Sequence, residues 1–304
     1  DPTRHVGTLD ILNPEYIADT SKYLLIDTDF GNDHTTSKQL GVYLQDQIRV
    51  NEEWIAVVGA RFDKFEDENI ETKIKVKDNH ISPRVGAIYQ PNKDTSVFIN
   101  RSEGFNPQDP TSQPESGDLL SPETSTQYEL GIKNIWLDGN INTTITTYHI
   151  IKEDVVVSNP DYIVGSNLPA QLQIGEVTSK GIEIDIVGDI TDNWTGTLNY
   201  AYNDATITGG NPDDIRNSIG DEFANAPDHT LGMWTRYQLP SLNSAVAIGF
   251  DFVDDRISLD GQKVNSYTTW DASWQTQIDN FQIQLNLKNI FDKEYAVSGF
   301  NKRN

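Results

Sequence analysis

The chain has 304 residues, and 46 Asp and Glu against 23 Lys and Arg leave a formal charge of −23. That balance lacks the basic footprint of a nucleic-acid binder, the absence of cysteine removes disulfide scaffolds, Cys-ligated zinc and thiol nucleophiles, and no run of about 18 apolar residues offers a transmembrane helix. With 6 Trp, 12 Tyr and 11 Phe the chain carries enough large apolar side chains to fold, and its length suits one large domain or two ordinary ones.

The first residues carry no secretory n-region with an apolar core, and residues 6–12 read as the end of a strand. From there the dominant period is two, the mark of strands whose faces see different surroundings. Alternating segments fall near 36–49, 54–65, 81–90, 95–103, 123–137, 140–152, 174–189, 193–204, 225–238, 244–254, 265–278 and 280–290. Tyr128, Leu130 and Ile132 alternate with Gln127, Glu129 and Lys133. Ile182, Ile184 and Ile186 alternate with Glu183 and Asp185, and Phe281, Ile283, Leu285 and Leu287 with Gln282, Gln284, Asn286 and Lys288. Helical periodicity of comparable length is absent. The class is all-β and antiparallel.

Turn signals sit near 50–53, 90–94, 137–140, 190–193, 239–244 and 278–281. Long polar stretches sit near 64–80, 105–121, 153–173, 205–223 and 254–266. Short and long connections alternate, so all short ones fall at one end of the strands. A soluble sandwich has no reason to keep that asymmetry, whereas a transmembrane barrel has short periplasmic turns and longer external loops. The alternating runs of roughly nine to twelve residues match a tilted spanning strand and exceed the usual globular strand. Trp54, Trp136, Trp194 and Trp274 lie close to the short turns and Tyr89 and Tyr237 just before two of them, as in an interfacial aromatic girdle. Arg61, Arg84, Glu123, Gln127, Glu129 and Lys133 read as lumen-facing polar residues. Period alone does not decide which face meets water, so aromatic packing at the end of a soluble sandwich remains the alternative at this point.

Several runs resemble signatures of the TonB-dependent siderophore receptors, in the family's order. They are G-V-Y-L-Q-D-Q at 41–47, G-A-R-F-D at 59–63, S-P-R-V-G at 82–86, L-S-P-E-T-S-T-Q-Y-E-L-G-I-K at 120–133, G-E-V with S-K-G-I-E within 175–183, N-A-P-D-H at 225–229 and L-K-N-I-F-D-K-E-Y at 287–295. The resemblance implies a 22-stranded outer-membrane barrel filled by an N-terminal plug, binding a ferric siderophore outside and importing it with energy passed through TonB. Against that pattern the chain reads as an incomplete transmembrane β-barrel. Residues 1–304 would supply about 12–13 of the expected 22 strands, and the plug, the TonB-contact segment, the earlier strands and the last strand would be missing. The expected location is the bacterial outer membrane. The expected partners are the siderophore, outer-membrane lipid and TonB, with no cofactor beyond the transported ligand.

No catalytic constellation emerges: the five histidines form no i, i+2 or i, i+4 pair, and no H-E-x-x-H, G-x-S-x-G or P-loop pattern occurs. Asp27, Asp29, Asn32 and Asp33 suggest a calcium loop, but Lys38 stands where the bidentate Glu belongs. His229 is expected to make a structural hydrogen bond. Aromatic walls and cations in the external loops would capture the chelate, and the residues placed to do so are Phe105, Tyr162, Arg216, Phe223, Arg256, Tyr295 and Phe300. Rival readings are a related receptor for cobalamin, haem or a glycan, a soluble carbohydrate-binding or adhesin module, and an outer-membrane barrel enzyme.

Overall fold

The computed structural model describes residues 34–108, 119–158, 171–210, 218–258 and 261–299. The strands are β1 (Thr35–Arg49), β2 (Trp54–Asn69), β3 (Lys75–Asn92), β4 (Thr95–Asn106), β5 (Glu123–Trp136), β6 (Ile141–Ser158), β7 (Gln171–Thr191), β8 (Trp194–Gly209), β9 (His229–Leu239), β10 (Ser244–Val253), β11 (Arg256–Ile257), β12 (Lys263–Val264), β13 (Tyr267–Ile278) and β14 (Phe281–Leu287). Twelve of them form one antiparallel meander in the order β1 to β10, then β13 and β14. The pair β11–β12 is a separate two-stranded ribbon in the connection between β10 and β13. No α-helix occurs among the described residues. Strands β1 and β14 end the sheet, which does not close into a ring. The expected strand at residues 6–12 lies outside the described residues.

Six connections at one end of the sheet have four or two residues: 50–53, 93–94, 137–140, 192–193, 240–243 and 279–280. Their residues suit tight reversal. Asp138, Asn243 and Asp279 hold positive φ, which Asp and Asn tolerate better than other side chains. The Asn51 carboxamide oxygen accepts from the backbone N–H of Glu53 and Trp54 at 2.9 and 2.8 Å.

Through the middle of the strands the register is continuous, its shifts falling toward the strand ends, so each row of residues there keeps its face. Val42 pairs with Phe62 and Phe62 with Ile81; Ile99, Leu130, Thr147, Ile182 and Tyr202 form another row. The apolar members of every alternating run therefore merge into one band. It covers residues 54–62 on β2, 81–89 on β3, 182–190 on β7 and 194–202 on β8, a length that suits a tilted membrane-spanning strand. This band is exposed, with Leu130 at 50% and Leu285 at 52%, while few apolar side chains are buried. So large a contiguous apolar surface marks a membrane or partner interface rather than a face against water. Trp54, Trp136, Trp194, Tyr237 and Trp274 stand on the same face at or near the short-turn end. Trp54 pairs with Tyr89, their rings 4.8 Å apart.

The structure corrects the reading of residues 64–80 as a long loop. Strand β2 runs to Asn69 and β3 starts at Lys75, leaving five residues at 70–74. The polar run keeps period two, with charges as its outward members: Lys77–Glu66 and Lys75–Glu68 pair across the ladder at 2.9 and 2.8 Å. Phe65 and Val76, on the opposite face, are buried. Strands β6, β7 and β8 also extend past the apolar band, to Ser158, from Gln171 and to Gly209, with register shifts at Asp154 and at Glu176. Two strands are shorter than expected. Strand β9 begins only at His229, after a turn in which Asn225 has φ 61°, and β14 ends at Leu287, before Asn289 with φ 46°.

Candidate functional site

The polar face of the sheet carries two hollows. The outer one, of about 660 Å³, is walled by β1 to β4, within the volume range of ligand clefts. Gln39, Tyr43 and Gln45 line it from β1, Arg61, Asp63 and Phe65 from β2, Arg84 from β3, and Ser102 and Phe105 from β4. A side chain at Gly41 would come within 2.1 Å of the Arg61 guanidinium, so the bare backbone there lets that group lie against β1. Arg61 Nε donates to Asp63 Oδ2 at 2.7 Å. Arg84 makes no hydrogen bond or ion pair among the described residues and leaves its donors available. At the rim, Phe105 stacks on His80 and Phe65 with ring centroids 4.9 and 5.9 Å apart.

The second hollow, of about 440 Å³, lies further toward the short turns and shares Arg84 with the first. Glu129 anchors it, accepting hydrogen bonds from Asn100 Nδ2 and, at 2.6 Å, from Gln127 Nε2. Lys133 sits 5.5 Å from the Phe98 ring centre. The Asn100 carboxamide oxygen is buried without a partner. All six residues read from sequence as lumen-facing (Arg61, Arg84, Glu123, Gln127, Glu129 and Lys133) share this one face of the register.

The other candidates gather at the far flank of the outer end. Arg256 is only 4% exposed. Its Nη2 donates to the carbonyls of Ala296, at 2.6 Å, and Val297, and its Nη1 to that of Asp254 at 3.4 Å. The guanidinium lies 5.8 Å from the Tyr267 ring centre, and Tyr267 stacks on Tyr295 at 4.2 Å. Asn225 binds Gly299 in both directions, donating to its carbonyl at 3.1 Å and accepting from its N–H at 2.8 Å. The Asn225 N–H also donates to the Ile257 carbonyl at 2.8 Å. Phe223 is half-exposed beside β8, its N–H bonded to the Ala205 carbonyl at 2.8 Å. Three outer connections thus become one block. Tyr162, Arg216 and Phe300 lie outside the described residues.

Of the seven sequence candidates, Phe105 alone lines the outer hollow, while Arg256 and Tyr295 are brought together in the block. Sequence reasoning did not single out Tyr43, Gln39, Asn225 or Tyr267. The signal for Asn225 was present, since an Asn before Ala-Pro is suited to a left-handed turn. His229 sits at the outer edge of the apolar band, its Nδ1 2.9 Å from the Tyr200 hydroxyl. No group of three or more His, Asp or Glu able to hold a metal occurs among the described residues.

Known proteins with similar sequences or folds are consistent in kind. The family profile described as TonB dependent receptor-like, beta-barrel matches residues 4–290. The chain is 28% identical over 99% of its length to the metal-pseudopaline receptor CntO of Pseudomonas aeruginosa, covering 43% of that protein. It is 28% identical over 91% of its length to the ferrioxamine receptor of Yersinia enterocolitica, covering 39% of it. Its fold is similar to the siderophore receptor PiuA of Acinetobacter baumannii, with a TM-score of 0.74 at 23% identity over 88% of this chain and 40% of that one. It is also similar to the ferripyoverdine receptor of Pseudomonas aeruginosa, with a TM-score of 0.72 at 22% identity over 87% and 36%. The chain spans about two fifths of the length of these relatives.

Proposed function

We propose, from the premise that this chain belongs to the TonB-dependent receptor-like β-barrel family, that it forms part of the wall of an outer-membrane importer of a ferric siderophore. The observation that carries this reading is the two-faced sheet. A continuous exposed apolar band faces outward, and a polar wall faces inward with a hollow at its outer half. In that arrangement the ligand meets the outer hollow first. Phe105 and Tyr43 offer flat rings to the organic part of the chelate. Arg84, which has no partner among the described residues, offers donors to its anionic oxygens. Phe223, Tyr295, Tyr162, Arg216 and Phe300 would extend the contact surface from the external connections, and Arg256 would act through the rings and backbone that it holds.

Residues 1–304 would then be one barrel segment, with a plug, coupled to TonB, packing against the polar wall. The unpartnered oxygen of Asn100 and the hydrogen-bonded Glu129 are suited to meet such a plug. The named relatives receive metal-pseudopaline and ferrioxamine, and the chemistry they share is a metal held in a small organic chelate. A chelate of a metal other than iron is therefore the second reading.

The test is uptake of radiolabelled iron by iron-starved cells, with and without the receptor that carries this chain, supplied with hydroxamate, catecholate and carboxylate siderophores in turn. The expected result is receptor-dependent uptake of one class, lost when TonB is removed. Equal uptake with and without the receptor for every class would overturn the iron reading, and repeating the assay with labelled nickel, cobalt and zinc chelates would decide the second.

A further inference from the structure

The apolar band is not uniformly covered by side chains. Gly188 on β7 and Gly196 on β8 stand opposite each other in the ladder, on the face that carries the band. Side chains are missing at both positions, and the backbone forms the floor of a groove of about 340 Å³. Its walls are Ile141, Ile186, Ile190, Trp194, Leu198 and Met233. Trp194 is the first residue of β8, so the groove lies at the short-turn end, level with the aromatic girdle. That is the inner-leaflet side of a barrel whose short turns are periplasmic.

The walls have nothing polar left to offer. The Trp194 indole N–H donates to Thr235 Oγ1 at 2.6 Å, and the Thr235 hydroxyl donates to the Thr195 carbonyl at 3.0 Å. These bonds fix the indole as a wall and satisfy the polar atoms beside it. Protein–protein contacts rely on hydrogen bonds around an apolar core, whereas an acyl chain needs none. The groove is also continuous with the surface that meets the membrane.

We infer that this groove is a binding site for one acyl chain of an inner-leaflet phospholipid, held longer than the surrounding lipid. The inference rests on the membrane orientation of the sheet and not on any transported ligand. Gly196 supplies the probe of it. A Cβ there meets its nearest atom, Ile190 Cδ1, at 3.5 Å, an ordinary contact, whereas a Cβ at Gly188 would be 2.0 Å from the Asn140 carbonyl oxygen. Gly196→Leu therefore fills the groove without forcing the backbone.

The experiment reconstitutes the receptor in phosphatidylethanolamine and phosphatidylglycerol vesicles doped with a phospholipid bearing a diazirine in its tail. Light-driven adducts are mapped by peptide mass spectrometry. The expected result is labelling of the peptides around residues 186–198 and 231–235 severalfold above the rest of the band, falling to the band average in Gly196→Leu. Labelling spread evenly along the band in the unaltered protein would reduce the groove to annular lipid and overturn the proposal, whether or not the variant folds. So would unchanged labelling in a folded Gly196→Leu protein, or cross-links joining two protein copies through Trp194.

Discussion

The outer end of the sheet uses the same kinds of residue in two opposite ways. On the β1–β4 wall, Arg61 and Arg84 line an open hollow with Tyr43, Phe65 and Phe105 around it. In the block above β8 to β14, Arg256 is buried, with backbone carbonyls on its guanidinium nitrogens and Tyr267 against its face. A guanidinium has five donors. One that has given them to carbonyls holds a loop in place, and one that has not can greet an anionic ligand. Residue type is therefore a poor guide at this rim, and the identity of the acceptors already in place is the better one.

The sharpest way to break that contrast is Arg256→Ala. It leaves the Ala296 and Val297 carbonyls without their charged donor, and hydrogen bonds to charged groups are worth about 1.5–3 kcal/mol each, less what water recovers. The expected loss is roughly 2–4 kcal/mol of stability, seen as a lower denaturant midpoint and faster amide exchange across residues 289–299. Affinity for the proposed siderophore should fall only as far as that segment loosens. A variant that keeps its stability but no longer binds ligand would place Arg256 on the open side of the comparison.

Asn225 tests the same block more finely, because its two contributions separate. Asn225→Gly keeps the left-handed backbone and removes the two bonds to Gly299, for a cost of about 1–2 kcal/mol. Asn225→Ala removes the bonds and also places a Cβ residue at φ 61°, adding about 1 kcal/mol. Denaturation curves of the two variants should therefore differ, with Ala the weaker. Equal curves would show that backbone strain plays no part.

Much of this molecule was legible in its sequence, for a physical reason. A sheet with lipid on one face and a polar lumen on the other needs strict alternation, so all twelve strands of the meander could be placed from period two. Phe62 on the band and Arg61 on the wall are neighbours in sequence and opposites in environment. The reading failed at 64–80, where alternation continues but the outward members turn charged: Lys77 and Glu66 occupy outward positions that apolar residues fill lower on the strand, while Phe65 and Val76 lie on the other face. The candidate site was less legible than the fold. Arg256 and Arg84 are both arginines on or beside strands, and only three-dimensional pairing tells the buried clamp from the arginine that has no partner among the described residues. The hub at Asn225 joins Gly299 across 74 residues, a separation that no local pattern reports.

On the open side, Arg84→Ala should lower the affinity for the proposed chelate about tenfold, equivalent to roughly 1.4 kcal/mol, while leaving the denaturant midpoint close to that of the unaltered protein; Phe105→Ala should lower affinity similarly and also cost some stability, because its ring packs on Phe65 and His80. Equilibrium binding of the loaded siderophore to the purified receptor measures both. A large drop in stability with unchanged affinity would turn the β1–β4 hollow into a second structural block and remove the contrast.

The smallest effect expected is that of pH on the ribbon β11–β12. Lys263 Nζ lies 2.7 Å from Asp255 Oδ2, and that hydrogen-bonded ammonium holds the Asp255 carboxyl below its ordinary value. A carboxyl lowered on folding stabilises above its unfolded value, about 3.9, and loses that contribution as pH falls through the lower folded value. The same contact raises Lys263, so on the alkaline side the contribution is present below the ordinary lysine value and is lost as pH rises through the raised one. Both side chains are largely exposed, and salt screens such a pair. Thermal melts of the unaltered protein and Asp255→Asn should therefore differ slightly at pH 7, and the difference should shrink as pH falls below the ordinary carboxyl value. The hydrogen bonds that Arg256 and Asn225 give to backbone carbonyls should hold the block across that range. A difference that widens in acid would mean that the ribbon, rather than those links to backbone carbonyls, governs the block, and the reason given for its closed state would be wrong.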